Sequence, residues 1–234
     1  MQHDLARIPL FQTIPPKRLQ EIGTIAELRR FRKGETIFKE SQPAERVWLI
    51  QHGWVHLAKY TPQGTQVTIF TVTPGEMLCG FSAVLGYGTY YASAVAATDT
   101  TALGIPREAF SRLLQEQPGF AESILTIYHT RMRNMAEAIS LGQAPVEQRL
   151  AYTLLRLRSS FGNVVPVTHH ELARMAGTRW ETSIRTLSVM KRRKWITTSR
   201  GKMTVVAPQK LRALLTRQKT PCLGRGRRAE SPEG

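Results

Sequence analysis

The chain is poor in cysteine, poor in acidic residues beyond its first two thirds, and free of long apolar runs. Its 234 residues hold two cysteines, Cys79 and Cys222. Two thiols cannot build a disulfide scaffold, a four-cysteine zinc site or a four-cysteine iron–sulfur cluster. A reducing compartment is therefore expected, cytoplasmic rather than secreted. The N-terminal MQHDLARIPLFQTIPP has no apolar core segment, so no signal peptide is expected. No stretch approaches about 18 consecutive apolar residues, which argues against a membrane span. Neither a nucleophile–base set, a metal-ligand cluster nor a phosphate-cradling glycine loop stands out, and an enzyme is not expected.

What the sequence does have is positive charge. Lys and Arg number 33 against 17 Asp and Glu, a formal net charge of +16. A surplus of that size points to a polyanionic partner, nucleic acid or an anionic membrane surface. The charge is concentrated. Residues 1–144 carry 14 basic and 12 acidic residues, whereas residues 145–216 carry 14 and 3, a net of +11 in 72 residues. The break falls at LGQAP, Leu141 to Pro145. The tail, 217–234, adds 5 basic and 2 acidic residues; it is polar, aperiodic and expected to be disordered.

Residues 15–26 read as a short amphipathic helix with Leu19, Ile22 and Ile25 on one face. From 28 to 105 the pattern changes to short β-branched runs: ETIFK, RVWLIQ, WVHLAKY, TQVTIFTV, ASAVAAT and TTALGI. Gly34, Gly53, Gly64 and Gly75 punctuate them as turns would, which predicts a β-barrel or sandwich. Residues 106–117 read as helix and residues 119–141 as a longer one. In the latter Leu125, Tyr128, Met132, Met135 and Ile139 step by 3, 4, 3 and 4, an a/d seam over about two heptads. Such a seam packs either on the chain's own barrel or on a second copy, and periodicity does not choose between them.

Residues 145–216 read as helix, helix, turn, helix, hairpin, helix. Leu150, Leu154, Leu157 and Phe161 line one side of the first. Thr168 with Glu171 has capping-box spacing at the start of VTHHELARMAG, and Thr178 with Glu181 has the same spacing at the start of TRWETSIRTLSVMKRRK. Two short helices meeting across Ala176-Gly177-Thr178, followed by the hairpin WITTSRGKMTVVA, give a winged helix-turn-helix.

The residue types then point to DNA. The second helix opens with Arg179, Glu181 and Thr182, and Arg185 shares a face with Glu181. A carboxylate accepts from the cytosine amino group and a guanidinium bonds guanine bidentately, so these four are candidate base readers. Thr168, His169, Lys191, Arg192, Arg193, Arg200 and Lys202 are candidate phosphate contacts. A plainer role stands beside this one: Glu181 as a helix cap or an ion-pair partner of Arg185. Trp180 and Trp195 read as packing residues, although Trp180 lies beside the reading positions. RNA binding would call for clustered aromatic platforms, and lipid binding for a helix with a broad apolar face; the second module shows neither.

These passages resemble the CRP/FNR family of bacterial transcription regulators over about residues 8–216. The resemblance is carried by the strands ending in Pro74-Gly75-Glu76, by the 119–141 helix and, most specifically, by ELARMAGTRWETSIRTLSVMKRRKWI. It implies an α+β chain: a β-roll sensor domain of cyclic-nucleotide-binding type (1–118), a dimerisation helix (119–144), a winged helix-turn-helix domain (145–216) and the tail. It further implies a homodimer whose Glu181 and Arg185 read a G·C pair in each half of a palindrome with a TGA-like core, with double-stranded DNA and RNA polymerase as partners. The seam Leu125, Tyr128, Met132, Met135 and Ile139 would be the dimer interface. Cyclic-AMP-type members place an Arg where this chain has Trp180, and FNR-type members a Ser where it has Ile184.

By the same resemblance, Glu76, Cys79, Gly80, Phe81, Ser82, Tyr90 and Tyr91 fall in the effector cassette. Receptors of cyclic nucleotides hold there a Gly-Glu pair and an Arg-Ser pair; here Gly80-Phe81 and Tyr90-Tyr91 stand in their places. A buried cyclic phosphate without its Arg is poorly compensated, so cyclic AMP is not the expected effector. A neutral effector fits the aromatic residues better. An iron–sulfur cluster is not expected. Haem stays open, ligated by the Cys79 thiolate or by an axial His52, His56 or His129, beside the plainer reading of Cys79 as a small buried hydrophobe. A regulator that binds DNA constitutively, without effector, is the remaining alternative.

Overall fold

β-Branched and aromatic side chains alternate with small polar ones between residues 27 and 106, and the chain folds there into two antiparallel sheets. The computed structural model describes residues 5–64, 66–78 and 88–216. The first sheet runs β1-β8-β3-β6, comprising Glu27–Phe31, Thr100–Pro106, Arg46–His52 and Met77–Leu78. The second runs β2-β7-β4-β5, comprising Thr36–Phe38, Ser93–Ala96, Val55–Tyr60 and Gln66–Val72. One hydrophobic cluster draws on both: Val47, Leu49, Leu103 and Ile105 from the first, Val55, Leu57, Val72 and Ala94 from the second. This is the expected sheet-rich half, with two strands that the β-branched runs do not show. β6 has only two residues, and β1 is the arginine-bearing edge ELRRF.

Three helices belong with these sheets: α1 (Pro16–Ile25), α2 (Arg107–Glu116) and α3 (Pro118–Ser140). Each starts at or just after a proline, whose missing N–H is no loss in a first turn. The start of α3 is fixed by rings. Phe120 is fully buried, stacked 5.6 Å from Phe11 and edge-on 5.5 Å from Phe110. Burying one such side chain is worth about 2–3 kcal/mol.

The chain divides into two compact units, Met1–Gln143 and Ala144–Gly234. The second contains α4 (Val146–Phe161), β9 (Val164–Val165), α5 (His169–Met175), α6 (Trp180–Arg192), β10 (Ile196–Ser199), β11 (Lys202–Val205) and α7 (Pro208–Thr216). β9, too short to read from sequence, pairs with β11 and makes the hairpin a three-stranded sheet. Its core is Leu150, Leu154, Leu157, Val165, Leu172, Leu187, Met190, Ile196, Met203 and Leu211.

Gly53 and Gly64 separate two causes of glycine dependence. Both have positive φ, +75° and +78°. A Cβ on Gly64 would meet nothing within 4 Å, whereas one on Gly53 would lie 2.3 Å from the Asp99 carbonyl oxygen. Gly64→Ala should cost about 1–2 kcal/mol of unfolding free energy, the left-handed penalty alone. Gly53→Ala should cost about 3 kcal/mol or more, since overpacking adds to it. Urea denaturation of both variants checks the difference; equal losses would mean the Asp99 loop simply moves aside.

Candidate nucleic-acid interface

The site is built on α5 and α6. The capping box expected at α5 is present: Glu171 donates its backbone N–H to the Thr168 hydroxyl, and the Glu171 carboxylate accepts from the Thr168 backbone N–H and hydroxyl. The hydroxyl of Thr168, a candidate phosphate contact, is therefore engaged within its own cap. Loss of such a cap costs about 1 kcal/mol.

The second cap expected from sequence is not there. The N-cap of α6 is Arg179, not Thr178, and it makes no side-chain cap hydrogen bond. The reason lies at the end of α5. Gly177 adopts φ +58°, its N–H bonds the Arg174 carbonyl, and the Thr178 N–H bonds the Ala173 carbonyl. This pair of bonds is a Schellman closure, and it makes Thr178 the last residue of α5's terminus rather than the first of α6's. Ala173 is buried where the helices approach, as its size suggested. α4 steadies the turn: the Arg149 guanidinium donates to the Gly177 carbonyl at 2.8 Å. Sequence counted Arg149 only as charge.

Glu181 is thus the second residue of its helix and caps nothing. Among the described residues neither the Glu181 nor the Arg185 side chain has a hydrogen bond or ion pair, and both are exposed. The plainer roles considered for Glu181, a cap or a partner for Arg185, are absent. Ser183, Leu187 and Met190 form the buried stripe of α6. At 100° per residue the opposite side carries Glu181, Arg185, Ser188 and Arg192, all exposed. Arg179 and Thr182 are exposed beside them.

The other candidate phosphate contacts lie on the same unit. His169 is half-buried at the start of α5; Lys191, Arg192 and Arg193 are exposed at the end of α6. Arg193 leans on Glu147 at 3.4 Å and on the Trp195 ring at 4.9 Å. Arg200 sits in the turn between β10 and β11, and Lys202 begins β11; both are exposed. Trp195 is half-buried, in keeping with packing. Trp180 is not a packing residue: it is 49% exposed.

The effector cassette is only partly described. Cys79, Gly80, Phe81 and Ser82 lie outside the described residues. Tyr90 is buried, stacked on Phe38 with centroids 3.7 Å apart, and its hydroxyl donates to the Arg46 carbonyl at 2.8 Å. Tyr91 is exposed. The Glu76 carboxylate accepts from the Thr73 N–H and hydroxyl. Arg131 on α3 donates to the Met77 carbonyl, a link between that helix and β6 which spacing could not show. Of the histidines, His52 and His129 are exposed and His56 is buried edge-on to Trp54. Among the described residues no group of three or more His, Cys, Asp or Glu could hold a metal, and no helix is long and apolar enough to cross a membrane.

Two outcomes follow from this geometry. The Ser183 hydroxyl is fully buried without a hydrogen-bond partner among the described residues. Ser183→Ala removes that desolvated group and should raise stability by about 1 kcal/mol in thermal or urea unfolding, leaving the exposed face unaltered. A loss instead would mean the hydroxyl is satisfied in solution. Burial first, and the Lys191 ammonium second, hold the His169 imidazole below its ordinary value of 6.5. The unfolded chain then binds this proton more readily than the folded one, so stability rises with pH through that range and falls on acidification below about 6.5. His169→Gln should flatten the fall measured between pH 7 and pH 5; an unchanged profile would place its cause elsewhere.

Comparison with known proteins agrees in both units. Residues 28–117 match the cyclic nucleotide-binding domain, and residues 148–214 match the Crp-like helix-turn-helix domain. The chain is 31% identical over 184 residues to the cyclic AMP receptor protein of Thermus thermophilus, covering 78% of this chain and 85% of that one. It is 27% identical over 208 residues to the CRP-like cAMP-activated global transcriptional regulator of Mycobacterium tuberculosis, covering 84% and 91%. FixK2 from Bradyrhizobium japonicum shares the fold, with a TM-score of 0.72 at 19% identity over 81% of this chain and 97% of that structure. With two matched domains in the order expected and a relative at this identity over most of its length, the chain belongs to the CRP/FNR family of DNA-binding transcription regulators, which are not enzymes.

Proposed function

We propose that the chain acts in the cytoplasm as a homodimer that reads a palindromic promoter site with a TGA-like core. Residues 1–118 serve as sensor, 119–144 as dimerisation helix and 145–216 as DNA-binding domain. The observation that carries the reading is the uncommitted Glu181–Arg185 face, opposite a buried stripe and set in a module of net charge +11. Arg185 bonds guanine and Glu181 accepts from the paired cytosine, with Arg179 and Thr182 beside them. His169, Lys191, Arg192, Arg193, Arg200 and Lys202 neutralise phosphates and supply the salt-dependent part of affinity.

The dimer rests on α3. Its first turns are buried, but the seam beyond them is open: Leu125, Met132 and Ile139 are 61%, 70% and 74% exposed, while Tyr128 and Met135 are half-buried. Tyr128 packs on the chain's own core, one of the two partners that spacing allowed. A second copy covers the exposed members, and two such modules present two recognition helices to successive major grooves about one helical turn apart. RNA polymerase is the partner through which such a regulator acts.

For the sensor, the packing of Tyr90 supports an effector other than a cyclic nucleotide. Its ring fills space against Phe38, and the sequence has Tyr90-Tyr91 where receptors of cyclic nucleotides hold their Arg-Ser pair. A neutral effector acting through β6 and the Arg131 link to α3 would bias the dimer by population shift. The same self-filled packing favours a second reading, a regulator that binds DNA without an effector. Haem stays untested by this packing, since its candidate ligand Cys79 lies outside the described residues.

The test is Arg185→Ala on the full chain, with affinity for a selected palindrome and for random duplex measured across a salt series. Preference for the palindrome should fall about tenfold or more per half-site, while affinity for random duplex and its salt slope stay nearly unchanged. Equal losses on both duplexes would overturn the base-reading role.

A further inference from the structure

Trp180 is the one large apolar side chain exposed on α6 among the described residues. On a helical wheel it lies near the buried stripe of Ser183 and Leu187, where an apolar residue is ordinarily covered. It escapes cover because α6 begins with it: the chain before it turns away at Arg179, whose backbone is extended. The indole therefore stands at the leading end of the helix, between exposed Arg179 and Glu181. No aromatic ring or guanidinium packs on it among the described residues; the guanidinium of Arg193 lies over Trp195 instead.

An uncovered indole in a module built for a polyanion needs an apolar counterpart on that polyanion. Base edges in the major groove present donors and acceptors, with a single apolar group among them, the 5-methyl of thymine. We propose that Trp180 is a specificity-determining residue that packs on the 5-methyl group of one thymine in each half-site, next to the G·C pair read by Glu181 and Arg185. This rests on the DNA-reading role of α6 given above, and it adds a base preference that hydrogen bonding from Glu181 and Arg185 does not supply. The indole N–H stays at the wet edge of the groove, so the contact costs no buried donor.

The experiment uses the full-length protein, its Trp180→Ala variant and the best duplex selected from a randomised library. Each thymine is replaced singly, in both half-sites together, by deoxyuridine, which lacks only the methyl. One position should weaken wild-type binding by about fourfold per half-site, the value of one buried methyl. Trp180→Ala should bind thymine and uracil alike at that position, keep its preference for the G·C pair and melt at the wild-type temperature. Uracil tolerated at every position, with the G·C preference intact, would overturn the role of Trp180 alone. A uracil penalty that persists in Trp180→Ala would also overturn it, by assigning the methyl to another residue. Absence of any base preference in the wild type would instead overturn the reading of α6 on which the inference rests.

Discussion

The orientation of α6 depends on one contact surface, the burial of Ser183, Leu187 and Met190 against the core of the second unit. A helix has no freedom to present its sides independently. Once that stripe is inside, Glu181, Arg185, Ser188 and Arg192 must be outside, and the charges at the helix end must follow them. The turn that delivers α6 is equally constrained. Gly177 supplies the left-handed residue, two backbone bonds close α5, and Arg149 reaches from α4 to hold the Gly177 carbonyl. The exposed face of α6 is thus set by a buried apolar stripe and a satisfied turn, and the residues proposed for recognition are left available to a partner.

A comparable division of labour runs along α3. Phe120 and Ile124 anchor its start in the core beneath the sheets, and Arg131 ties its middle to the Met77 carbonyl. Beyond those points Met132 and Ile139 are exposed among the described residues. In the proposed dimer, a helix clamped at its start and exposed further on would pass a change at β6 along to the second copy. The proposed effector need supply little. A shift in packing near Met77 that favours one setting of α3 over another is enough, because a ligand moves an equilibrium only by its differential affinity for the two states.

The parts of this fold that sequence shows are those with strong periodicity or strong local chemistry. Long strands, the α3 seam, the Thr168–Glu171 box and Gly177 all announce themselves, and the passages that hold them carry the resemblance to the family. What stays hidden is set by tertiary pairing. β6 and β9 have two residues each and exist only because β3 and β11 pair with them. The cap assigned to Thr178 fails because α6 begins one residue later, at an Arg179 N-cap, while the Thr178 N–H closes α5 on the Ala173 carbonyl, a bond that residue spacing does not reveal. Trp180 has the wheel position of a packing residue and the exposure of a recognition residue, since a helix start removes the turn that would cover it. Arg149 and Arg131 look like surface charge and prove to be struts between backbone elements.

The central claim is that two copies of α6 read one duplex. Selection of sites from a randomised duplex library by the full chain, followed by native mass spectrometry of the best complex, tests it most directly. The account predicts an inverted repeat whose half-sites lie about one helical turn apart, each with a fixed G·C pair, bound by two chains. An unrepeated motif held by a single chain, or no enriched motif at all, would contradict it.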